Sequence, residues 1–234
     1  MSDSLLDAFE AGLRAAHYED ALRQAQSELA DQSDLERERA WLDEALERLH
    51  AAASDWAALS EDALAHEALT PAREAQARKT QLELIEGTRS LVEQVVEVGG
   101  ENGPLEAVIR RKLEIPNPRR MTPEGFVAFV EELERRLGST YLARMIAEPP
   151  HDALDAPISA LKGRIERWRR LEHPEPLEAD AAEALASRLR RHARALERPL
   201  RQAELLALAA AIDDEVLTQR LTLTASKAKR RAKK

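Results

Sequence analysis

Glu47 and His50 stand three residues apart in a run that reads as helix, the spacing at which helical bundles offer a carboxylate and an imidazole to iron. A di-iron centre needs two such pairs and two more carboxylates, because each metal takes an imidazole and shared oxygen ligands. The helical runs supply this one pair in a chain with 43 acidic residues, so it reads as coincidence. Asp62 with His66 would share a helical face, as would His151 with Asp155, but catalytic zinc takes three protein ligands and each of these pairs supplies two. No metal and no cofactor is expected. Cysteine is absent, which removes thiol nucleophiles, thiolate metal sites and disulfides. Gly99-Gly100-Glu101-Asn102-Gly103 lacks the lysine of a phosphate-binding loop and follows no strand, so it reads as a helix terminator. No Gly-x-Ser-x-Gly elbow occurs. The expectation is a protein without catalysis and without a small-molecule substrate.

Cationic groups are the remaining chemistry. Arg110, Arg111 and Lys112 precede a Pro-x-Pro loop and Arg119 and Arg120 follow it. Arg164, Arg167, Arg169 and Arg170 surround Trp168, and Arg188, Arg190, Arg191, Arg194, Arg198 and Arg201 continue along the chain. The last eight residues hold six cations, including Lys229, Arg230, Arg231 and Lys233, and no large apolar group, the composition of a disordered basic tail over 225–234. Guanidinium forks suit phosphate oxygens, so contact with DNA or RNA is the second functional reading. Interspersed Glu166, Glu172, Glu197 and Glu204 favour the first, in which such charges simply keep helical faces hydrated. The net charge of −8 divides unevenly: residues 1–100 carry −13 and residues 101–234 carry +5. Such asymmetry points to a polyanion or a partner, or to attraction between the two parts within one molecule or between copies.

The elements that carry these groups are helices. Ala, Leu, Glu and Arg dominate, aromatics make up 3% of the chain, and glycine and proline fall almost wholly at breaks. The fold class is all-α: a multi-helix bundle or elongated antiparallel helical hairpins, with a small Pro/Gly-punctuated helical subdomain in the middle. Ser4 to about Ala30 forms one helix or a hairpin, and Asp31 to Asp34 is a polar break with a plausible N-cap. Leu35, Leu42, Leu49 and Trp56 recur every seven residues with Ala45, Ala52 and Leu59 between them, a seam whose small residues let helices approach closely. Thr70-Pro71 starts a long helix that Gly99-Gly100 stops. Residues 101–150 hold over half of the prolines and suit a compact subdomain of short helices.

Ile158, Leu161, Ile165, Trp168 and Leu171 then mark one buried helical face, which makes Trp168 an anchor and not a base-stacking platform. Two further helices are expected over 177–197 and 200–224, separated by Pro199, and the apolar run containing Leu205, Leu208 and Ile212 should be buried or paired with another chain. Four regions result: an acidic 1–100, a compact 101–150, a basic 151–224 and the tail 225–234. No apolar run reaches the roughly 20 residues of a membrane span, and the acidic N-terminus lacks the features of a secretory signal, so no membrane partner and a cytoplasmic location are expected. The functional expectation is an adaptor, accessory or assembly subunit. It would work through helix–helix contacts with a protein partner or a second copy of itself, along Leu42, Leu49, Trp56, Trp168, Leu205, Leu208 and Ile212.

Overall fold

Ser4 opens the first helix by a reciprocal cap: its hydroxyl accepts from the Asp7 N–H at 3.0 Å and the Asp7 carboxylate accepts from the Ser4 N–H at 3.3 Å. The computed structural model describes residues 4–30, 35–100, 103–110, 113–147, 149, 151–211, 214–219 and 221. All regular structure among them is helical, and the chain is an all-α bundle protein. It divides into two compact units, one made of residues 1–70 and 176–234 and the other of 71–175.

The first unit packs α1 (Leu5–Leu29), α2 (Glu36–Ala53) and the short α3 (Trp56–Ala63) against a helix from the far end of the chain, Ala179–Ala210. Three cross-links show that α1 and α2 run antiparallel: Arg39 Nη1 donates to Ala30 O at 3.0 Å, Gln26 Nε2 to Asp43 Oδ1 at 2.5 Å, and His50 Nδ1 lies 2.8 Å from Glu19 Oε1. The seam at seven-residue spacing is real inside this unit, with Leu42, Ala45, Leu49 and Trp56 all buried. Facing residues are small as often as large, Ala15 and Ala25 on α1 and Ala203, Ala207 and Ala210 on the C-terminal helix. Helix axes therefore come close enough for backbone and side-chain atoms to stay in van der Waals contact without large aromatics.

Gly12 makes room for an aromatic ring in the seam. A Cβ at position 12 would lie 2.1 Å from Trp56 Cζ3, so the indole rests directly on α1, between the Phe9 ring at 5.3 Å and the His192 ring at 5.8 Å.

In the second unit, α4 (Thr70–Gly99) ends where Gly100 takes a left-handed φ of 74°. It buries Leu84, Ile85, Leu91 and Val95, while Leu82 turns out to solvent. Thr80 and Thr88 are buried on the same face because their hydroxyls donate back to Gln76 O and Leu84 O. Next come α5 (Pro104–Arg110), α6 (Pro123–Leu137), α7 (Thr140–Met145) and α8 (Asp155–Glu172). Thr122 caps α6 by accepting from the Gly125 N–H at 3.1 Å, with Pro123 in the first turn. Trp168 on α8 meets Phe126 on α6 edge-to-face at 5.1 Å, which makes it the core anchor its register implied.

Three expectations change here. The compact unit is not 101–150: a core around α6 needs the apolar faces of α4 and α8, so it extends over 71–175. The acidic and basic stretches do not form separate regions either. The C-terminal helix joins the acidic α1 and α2, so the first unit carries 25 acidic and 18 basic residues (net −7) and the second 18 and 17 (net −1). Finally, Pro199 does not end a helix. α9 (Ala179–Ala210) runs through it, because buried Leu196 before it and Ala203 after it hold both halves to the bundle, and the freed carbonyl belongs to Ala195 on the water side. The break at Asp31–Asp34 and the tail 225–234 lie outside the described residues.

Gly12→Ala should destabilise the first unit by about 1–3 kcal/mol, since overpacking against a rigid indole outweighs the roughly 1 kcal/mol of helix propensity gained. In a Trp56→Leu background the same change should be neutral or stabilising; denaturant melts of the four proteins measure this. Pro199→Ala should raise stability by about 1–3 kcal/mol by restoring one helical hydrogen bond, read in the same melts.

Candidate functional site

Buried charge is concentrated in two places, both structural. Glu19 lies in the α1–α2 seam, where its carboxylate takes the Arg23 guanidinium and His50. His50 is therefore turned to α1, to a partner that no helical spacing from Glu47 could reveal. In the second unit Arg136 is buried on α6 and donates to Ile109 O at 2.9 Å and Val108 O at 3.3 Å, carbonyls that the end of α5 leaves without helical partners. Its Nε also meets Glu132 Oε1 at 2.7 Å. Hydrogen bonds from Arg135 first, then Arg136, hold the Glu132 carboxyl down at about 2. Arg136 falls between Leu133 and Leu137 on the apolar face, and that misplaced charge was the signal available in the sequence.

An open recess of about 550 Å³ separates the loop Leu113–Met121 from α6, with Ile115, Pro116, Asn117, Arg120, Phe129 and Glu132 on its walls. Its strongest anion is already committed to two arginines, and no nucleophile with an adjacent base lines it. Among the described residues no three His, Asp or Glu side chains converge as a metal site would require.

The cationic candidates are scattered. Arg110 is paired with Glu106 at 2.8 Å on its own helix, and Arg119, Arg120 and Arg170 are exposed. Arg164 and Arg167 are half-buried, Arg164 beside Gly87 of α4. Arg169 forms a two-pronged pair with Glu134 at 3.0 and 2.5 Å, joining α8 to α6. Arg111, Lys112, Lys229, Arg230, Arg231 and Lys233 lie outside the described residues, as does Ile212. Leu42, Leu49, Trp56 and Trp168 are spent on the interiors of their own units.

One surface does gather candidates of both kinds. The buried side of α9 holds Leu189, Leu196, Ala203, Ala207 and Ala210. Directly opposite, at three- and four-residue steps, run Arg191, Arg194, Arg198 and Arg201 and then Leu205 and Leu208, all exposed. Leu205 is 65% exposed and Leu208 36%. The apolar run is thus split by the helix: its alanines face the bundle and its leucines face outward. The sequence alone could not show this, because a stretch that is apolar all round has no preferred side until a neighbour chooses one.

His192, also on α9, is a titratable group held by the fold. Its ring is stacked on Trp56 at an interplanar angle of 14°, and its Nε2 is buried with no hydrogen-bond partner. Burial pushes its pKa down, and the nearby Asp55 carboxylate opposes this only in part. A folded-state pKa below that of the unfolded chain means stability that is complete above about 6.5 and lost as pH falls through the depressed value. Thermal melts of wild type should therefore drop by a few degrees between neutral and mildly acid pH, and His192→Phe should remove that part of the drop.

Comparison of the chain with protein-family models, with curated proteins and with solved structures finds no match, so function must be argued from this surface and these interiors.

Proposed function

We propose that this protein is a non-catalytic helical interaction protein, an adaptor or assembly subunit, and that the outward ridge of α9 is its docking face. The observation that carries the reading is the exposure of Leu205 and Leu208 in line with Arg198 and Arg201 on a helix whose other side is already buried. Exposed leucines in a contiguous row mark contact surfaces, and arginines beside them supply orientation and pairing with acidic groups. No helix among the described residues is long and apolar enough to cross a membrane, and the reading places the protein in the cytoplasm. The test is quantitative co-purification from the native host with wild type and with Leu205→Glu/Leu208→Glu. A specific partner retained by wild type, and reduced at least about tenfold by the pair with helicity and melting unchanged, is the expected result. Equal retention would remove α9 as the docking face.

The row of arginines favours a second reading, an accessory protein of a nucleic-acid machine. Four guanidinium groups on one ridge could neutralise phosphates, and the affinity would fall steeply with salt. Filter binding to duplex DNA and RNA with Arg191→Gln/Arg198→Gln/Arg201→Gln should then show weaker binding and a shallower salt dependence than wild type. Binding that is independent of these residues and of residues 225–234 would end this reading.

A further inference from the structure

Resting on the docking role of α9, we infer that the occupant of its outward face is a second copy of the same face, two α9 helices pairing antiparallel across a two-fold axis between Leu205 and Leu208. The argument is charge complementarity along the ridge. Arg201 and Arg198 precede Leu205 by four and seven residues, about 6 and 10.5 Å along a helix. On the other side the helix ends three residues after Leu208, at Ala211, about 4.5 Å on. That end is negative. It leads to Asp214 and Glu215, both exposed, where residues 215–219 start a further helical turn. Asp214 is fixed there, its Oδ1 accepting from the Leu217 N–H at 2.8 Å, while the Thr218 hydroxyl donates to Ala211 O.

An antiparallel pair centred on the leucines therefore sets Leu205 against Leu208 of the other copy. It carries Arg201 and Arg198 past the other copy's helix end, toward its exposed Asp214 and Glu215. The arrangement is self-complementary, with every contact made twice, as a closed two-fold interface requires. A parallel pair would stack arginine on arginine. A phosphate backbone would satisfy the arginines but leave the two leucines in water, and Leu205 is the second most exposed large apolar side chain described, after Val216.

Sedimentation of the full chain across the micromolar range tests the inference. Wild type should be a reversible dimer. Leu205→Glu/Leu208→Glu should raise the dissociation constant more than about tenfold, with circular dichroism showing unchanged helix. Arg198→Glu/Arg201→Glu and Glu215→Lys should each weaken the dimer, and the three changes combined in one chain should restore it, because each copy then offers the swapped charges to the other. A strict monomer, a dimer indifferent to the leucine pair, or a charge swap without rescue each overturns the inference. A strict monomer would leave the docking reading standing if the native partner is still lost with Leu205→Glu/Leu208→Glu, so the two failures are distinguishable.

Discussion

Helices whose facing residues are small about as often as large gain little from many of those side chains, since a methyl group removes only a small apolar area from water. They hold together only by lying close along many turns, so that dispersion contacts accumulate. That constraint governs the first unit. α1 has 25 residues, α2 18 and α9 32, far longer than an average helix, and they pack along one another on rows of Ala, Leu and one Gly. The Trp56 indole fits where Gly12 makes room for it, with Phe9 on one side and His192 on the other.

The same constraint explains how the chain treats its charges. Once α9 crosses back to α1 and α2, basic and acidic stretches distant in sequence share a unit, which lowers the repulsion that an acidic hairpin alone would carry. The charges that are taken inside are few, and each ties two elements together. Glu19 joins α1 to α2 through His50, and Arg136 joins α6 to the end of α5. Both are hydrogen-bonded to groups of opposite or complementary polarity, the condition under which buried charge is tolerated.

The outer face of α9 follows from the inner one. With alanines chosen for the seam, the leucines of the 205–211 stretch are left on the far side, a third to two-thirds exposed and continuous with the arginine ridge.

Local structure was legible from the residues. Thr122-Pro123, Thr70-Pro71 and Gly99-Gly100 mark helix ends through capping and left-handed backbone, effects that act within a turn or two. The buried face of α8 was readable from three- and four-residue spacing, and Trp168 was correctly placed on it. Pro199 marks a break by local propensity, at a cost of about 3 kcal/mol in a helix interior, but α9 runs through it because Leu196 and Ala203 on either side are buried in the bundle. The association of α9 with α1 and α2, the partner of His50, the carbonyls that need Arg136 and the outward side of Leu205 all depend on which surfaces meet. The residues determined that helices form and, at most ends, where they stop, because capping and periodicity are short-range; tertiary packing alone decided which faces stay exposed, because an alanine-rich helix offers several nearly equivalent sides and only a neighbour selects among them.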